Sequence, residues 1–103
     1  MRTFVTAVFD AKPGKEDEVE RIFRTLVEPT HSDAGCISYA LNRGQDAPRR
    51  FVFMEEWDSR ENLDAHLEAG HIKDGFAELE DLLESRDIVI LERIAGGDVE
   101  GTA

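Results

Sequence analysis

The stretch "CISYALNRGQDAPRRFVFMEEW", residues 36–57, decides the fold. Its first eight residues alternate, with Ile37, Tyr39 and Leu41 on one face and Ser38 and Ala40 on the other. Period-two alternation rich in β-branched and aromatic side chains is a strand pattern. "GQDAP" at 44–48 is a turn cluster, and "RRFVFMEEW" at 49–57 is a second strand. Phe51, Phe53, Glu55 and Trp57 share one of its faces, and Val52, Met54 and Glu56 share the other. A parallel pairing needs a crossover of a dozen or more residues, so this short gap predicts an antiparallel hairpin.

Working outward, "TFVTAVFDA" at 3–11 is a further strand, closed by Lys12-Pro13-Gly14. Both of its parities are apolar: Phe4 and Val8 on one, Val5, Ala7 and Phe9 on the other. "GKEDEVERIFRTLVEPTH" carries Val19, Ile22, Phe23, Leu26 and Val27 at helical spacing, with Glu16, Asp17 and Glu18 where a helix dipole favours acids. Pro29 is expected to end or kink that helix near Glu28, and "SDAG" to supply the turn. Beyond the hairpin, Asp58 and Glu61 have capping-box spacing. A short helix with Leu63 and Leu67 runs to Gly70, and a second spans roughly 71–84 with Ile72, Phe76, Leu79, Leu82 and Leu83. "RDIVILERI" at 86–94 is the last strand, and "AGGDVEGTA" is a loose tail.

The order β-α-β-β-α-β, with its second helical region split at Gly70, predicts the α+β ferredoxin-like arrangement: a four-stranded antiparallel sheet with helices on one face. We expect one domain over residues 1–95 and a flexible tail over 96–103. Strands apolar on both faces under helices on only one leave a second face to bury. A second copy of the sheet would do so, giving a homodimeric α/β barrel with a cavity between the sheets.

Composition narrows the partners. The chain has 103 residues and a net charge of −11, from 23 acidic against 12 Lys and Arg side chains. That balance argues against nucleic acid or an anionic membrane surface as a partner. "MRTFVTAVFD" is too short in apolar run to be a signal peptide or a span, so a cytoplasmic location is expected. Cys36 is the single cysteine, which excludes an intrachain disulfide or thiolate metal cluster and suits a small packing residue. GxGxxG, P-loop and GxSxG motifs are absent from the sequence.

Candidate chemistry gathers in "EEWDSRENLDAHLEAGHIKDGF", residues 55–76, which holds the only Trp and two of three His. If Glu55 shares the second sheet face with Phe51 and Phe53, desolvation would raise its pKa and suit it to general acid–base work. The alternative is a carboxylate paired with Arg or capping backbone groups. Trp57 either packs or contacts a ligand through its indole N–H. Tyr39 either reaches the same cavity or is a core aromatic. On one continuous helix His66 and His71 would face apart, and the zinc-binding helical signature needs a spacing of four, so no metal is expected. His31 is expected at the surface.

"PGKEDEVERIFRTLVEPTHSDAGCISYAL" followed by "APRRFVFMEEWDSRENLDAHLEAGHIKDGF" resembles the antibiotic biosynthesis monooxygenase family, in particular its small quinol-monooxygenase-like members. The carrying pieces are Pro-Gly before the first helix, "GCISY", the "EEW" strand end and "AHLEAGH". The resemblance implies a homodimer of ferredoxin-like subunits that oxidises an aromatic quinol or phenol with dioxygen, without metal, haem or flavin. It makes Glu55 and His66 candidate catalytic bases. It makes Tyr39, Phe53, Trp57 and His71 candidate substrate contacts. Haem-degrading relatives carry an Asn on the first strand and a His late in the second helical region, where this chain has Ala7 and Phe76. Two other readings stay open on the same fold: a non-catalytic dimeric ligand-binding protein, and an isomerase or lactone-processing enzyme.

Overall fold

Strand β1 (Thr3–Ala11), helix α1 (Glu16–His31), strands β2 (Cys36–Arg43) and β3 (Arg50–Trp57), helices α2 (Arg60–Leu67) and α3 (Gly70–Leu79) and strand β4 (Leu83–Leu91) follow one another in the computed structural model, which describes residues 1–99. The sheet order is β2-β3-β1-β4, antiparallel throughout. This is the expected α+β ferredoxin-like arrangement with a split second helix. Of the expected tail, residues 96–99 form neither helix nor strand, and 100–103 lie outside the described residues.

Burial in β1 alternates strictly: Thr3, Val5, Ala7, Phe9 and Ala11 are buried beneath the helices, and the residues between them are half-exposed. The apolar stripe of α1 lies on this face, where Phe23 meets Phe53 edge-on at 4.9 Å and Phe9 at 5.2 Å between ring centroids. Phe76 of α3 closes on Phe9 at 5.3 Å. Aromatic pairs in such geometry add about 0.5–1.5 kcal/mol each beyond area burial. The other face of the sheet carries Phe4, Val8, Met54 and Leu91, with Met54 57% and Leu91 43% exposed.

Several local expectations are corrected. Helix α1 continues through Pro29 to His31. Proline at 29 removes one helical N–H, but Thr30 beyond it is fully buried, and Ser32 and Asp33 N–H groups close the end on the Pro29 and Thr30 carbonyls. The N-cap of α2 is Ser59, whose hydroxyl accepts from the Asn62 N–H at 3.2 Å; Asp58 instead accepts from the Asn62 side chain. Helix α3 stops at Leu79 and β4 starts at Leu83, earlier than helical spacing suggests. Pairing of Leu83 with Ala11 and burial of Leu83 against the core prevail over local helix preference. Ile37 does not share the buried face with Tyr39: a bulge between Cys36 and Ser38 turns it outward, 45% exposed.

Gly35 fixes how β2 meets α2. Its φ of +78° is left-handed, and a Cβ there would run into Asp58 and Asn62 at the start of α2. Among the described residues no helix is long and apolar enough to cross a membrane.

Candidate active site

Glu55 and Trp57 are two residues apart on β3 and therefore point the same way. The Trp57 Nε1–H donates to Glu55 Oε1 at 3.0 Å, and both side chains are buried, Glu55 being 8% exposed. Burial pushes the Glu55 carboxyl up to about 7, with the Trp57 hydrogen bond opposing the rise. Tyr39 stands directly opposite Glu55 in the β2–β3 register. Burial raises its phenol pKa, the Glu55 charge adds to that, and the Thr30 hydroxyl opposes it. Tyr39 therefore remains a proton-bearing hydroxyl.

His66 comes down from α2 onto these residues. Its ring lies 4.6 Å from Trp57 and 5.4 Å from Tyr39, and it is 4% exposed. Burial lowers its pKa, with Asp33 opposing. His66 Nδ1 lies 3.0 Å from Asp33 Oδ2. With the carboxylate as acceptor, the neutral ring carries its proton on Nδ1 and Nε2 is left as the basic nitrogen. His71 Nε2 approaches the same Asp33 oxygen at 3.3 Å and lies 3.1 Å from Thr30 Oγ1. The two imidazoles thus converge, 6.1 Å apart between centroids, where a continuous helix would have turned them apart. The break between Leu67 and Gly70 redirects the chain and brings them together. The donor atoms of Asp33, His66 and His71 all lie within 4.8 Å of one another, the one such grouping among the described residues.

Tyr39, Phe53, Glu55 and His66 line one small cavity together with Leu63 and Ile88, of about 40 Å³. Trp57 and His71 do not line it: Trp57 stands against Glu55 and His66, and His71 against the His66 ring. The cavity lies between the sheet and α2–α3 within a single chain, not on the second sheet face where its residues were expected. The helices take the Val5/Ala7/Phe9 parity, and Phe51, Phe53, Glu55 and Trp57 belong to it by register. Thr6 and Asp10 on the opposite parity of β1 were the available signal for which face is wetter. Arg43 pairs with Glu20 at 2.9 Å and stands over Phe51, away from this cavity. His31 is exposed, as expected, and its Nε2 lies 3.1 Å from the Tyr39 carbonyl oxygen. Burial raises the Cys36 thiol, with Asp33 and Glu55 adding, so it stays protonated and packs against the core.

Asp33 is the residue the sequence reading missed. It sits in "SDAG", which reads as a turn and nothing more; its only signal is a place just before the strand that carries Tyr39.

The family described as antibiotic biosynthesis monooxygenase matches residues 3–78. An uncharacterised protein of Synechocystis is 31% identical over 84 residues, covering 82% of this chain and 57% of that protein, so the chain spans little more than half of its length. The crystal structure of PA3566 from Pseudomonas aeruginosa superposes with a TM-score of 0.87 at 30% identity, covering 91% of this chain and 95% of that one. A crystal structure described as an antibiotic biosynthesis monooxygenase gives 0.85 at 30% identity, with 90% and 99% covered.

Proposed function

Since the chain belongs to the antibiotic biosynthesis monooxygenase family, we propose that it is a cofactor-independent monooxygenase that oxidises an aromatic quinol or phenol with dioxygen. The observation that carries this reading is the Glu55 carboxyl, buried among Tyr39, Phe53, Trp57 and His66 with its pKa raised to about 7. Such a group takes and returns protons near neutral pH.

The reaction balances as a four-electron oxidation. A phenolic substrate loses the hydrogen of one ring carbon and the hydrogen of its hydroxyl and gains a carbonyl oxygen at that carbon; the two hydrogens leave with the second oxygen atom as water. Glu55 or the Nε2 of His66 removes the phenolic proton, and the electron-rich anion donates directly to oxygen. The protonated Tyr39 hydroxyl stabilises negative charge as it moves, and the indole N–H of Trp57, donated to Glu55 Oε1, stabilises the carboxylate form of that base. The aliphatic and aromatic walls exclude water from the reduced-oxygen intermediate. Asp33 holds His66 in the tautomer that leaves Nε2 basic. His71 contacts substrate only if the α2–α3 corner opens, because it does not line the cavity.

The free volume of about 40 Å³ is close to that of a single water and far below that of an aromatic ring. Substrate entry therefore requires Leu67, Ile72 and Phe76 to move away from Ile88 and Ile90, which are 46% and 37% exposed at the open side. The same small volume favours a second reading, a binding protein whose cavity its own side chains fill. The acting unit in either case is a cytoplasmic homodimer joined through the Phe4/Met54/Leu91 face.

Oxygen uptake by metal-stripped protein over a panel of quinols and phenols tests the proposal, with Glu55→Gln and His66→Ala beside it. Uptake above the spontaneous rate, lowered about 100-fold or more in the variant that loses the base, supports it. Saturable binding of an aromatic with no uptake at all would establish the second reading instead.

A further inference from the structure

Three donor atoms converge beneath the corner where α2 gives way to α3. Asp33 Oδ2 lies 3.0 Å from His66 Nδ1 and 3.3 Å from His71 Nε2, and all three atoms fall within 4.8 Å of one another. Neighbouring ligands around a tetrahedral ion with bonds of about 2.1 Å stand roughly 3.4 Å apart, so small rotations of the rings and the carboxylate suffice to accommodate one. The residues come from three separate places in the chain: the turn after α1, the last turn of α2 and the first turn of α3. The fold, and not local sequence, preforms the arrangement.

The donor set selects the ion. Two imidazoles and one carboxylate suit a borderline transition metal dication and are poor ligands for calcium or magnesium, which favour all-oxygen sites. Access is also provided for. The His66 side chain is 3% exposed, whereas those of Asp33 and His71 are 23% and 24% exposed, so an ion can enter from that side and keep a water. Thr30 Oγ1, 3.1 Å from His71 Nε2, is within reach of that water.

We propose that Asp33, His66 and His71 form a binding site for a divalent transition metal ion of the zinc type, with three protein ligands and an open position. Coordination at His66 Nδ1 moves the remaining proton of the neutral ring to Nε2. The ion thereby converts His66 from proton acceptor to proton donor, and binding would inhibit any reaction that uses it as a base. That consequence rests on the proposed function; metal binding itself does not.

The test is zinc titration into tag-free, chelator-treated protein, followed by competition with a chromophoric chelator, and cobalt(II) as a spectroscopic probe. Expected are one ion per chain, a visible cobalt band of low-coordinate type, and affinity lowered at least about tenfold in Asp33→Asn and His71→Ala but unchanged in His31→Ala. Absence of saturable binding, or binding that His31→Ala abolishes, or binding indifferent to both Asp33→Asn and His71→Ala, overturns the proposal. Should a variant fail to fold, imidazole NMR of the unmodified protein decides. Zinc shifting the His66 and His71 resonances together supports the site, and zinc shifting only His31 overturns it. Loss of oxygen uptake on zinc addition is a separate readout, and its absence would bear on the reaction and not on the site.

Discussion

Glu55 is placed where its charge costs most and its proton serves best. The folded chain keeps that proton up to about pH 7, whereas the unfolded chain releases it near the ordinary value of 4.5. Between those values the folded state binds more protons than the unfolded one, so the contribution of Glu55 to stability falls as pH rises and is fully lost above 7. The lost amount is on the order of 3 kcal/mol. Glu55→Gln keeps an acceptor for the Trp57 N–H and cannot ionise. Relative to the parent chain it is expected to gain stability from acid to about pH 8 by that order, measured as the difference in urea midpoints across pH. A difference that stays flat with pH would mean Glu55 ionises without penalty, and the case for it as a tuned base would fall. Phe53→Ala is expected to cost about 3–5 kcal/mol, because its ring is 1% exposed and packs on Phe23, Phe9 and Tyr39. Thermal or urea unfolding checks it.

At the scale of elements, the junctions decide what the strands and helices bring together. Gly35→Ala is expected to cost about 2 kcal/mol or more: roughly 1–2 for the left-handed backbone, and the rest for displacing Asp58 and Asn62. Gly14→Ala, at φ +82° with open space around it, should show the backbone cost alone. Equal urea midpoints for the two variants would remove the contact from the account. Which elements form was legible from period and punctuation, as in the hairpin of 36–57 and the stripe of α1. Their ends were not, because burial of Thr30 and Leu83 and the bulge at Ile37 are tertiary facts. The pairing of His66 with His71 was hidden for a similar reason. A glycine break says that a helix ends but not where the next one points, and Asp33 enters only once the turn after α1 is folded against that corner.

At the scale of the whole molecule, the order of elements pointed to the ferredoxin-like sheet, and the two apolar faces of β1 and β3 to the need to cover both sides. They do not say which side the helices take, and it is Phe53, Glu55 and Trp57 that lie on the helix side and not on the other. The bare face makes a definite expectation about assembly. Light scattering should return twice the chain mass, and Met54→Lys, placed where the side chain is 57% exposed, should return the single-chain mass. A monomeric parent chain would leave the Phe4/Met54/Leu91 face to some other cover. Activity in a monomeric Met54→Lys variant would then be informative, since the cavity residues all belong to one chain.

Strand β4 is the outer member of the sheet, with one backbone edge unmatched among the described residues and the run Ile88-Val89-Ile90-Leu91 exposed on both sides of the ribbon. Such an edge is a template on which a further extended segment can grow. Arg86 and Asp87 before the run and Glu92 and Arg93 after it stand as gatekeepers, and the net charge of −11 opposes indiscriminate association. As acid neutralises the carboxylates, that repulsion fades while the edge remains. The colloidal weakness of this protein is thus written into its last strand, and mild acidity is the condition under which it would surface.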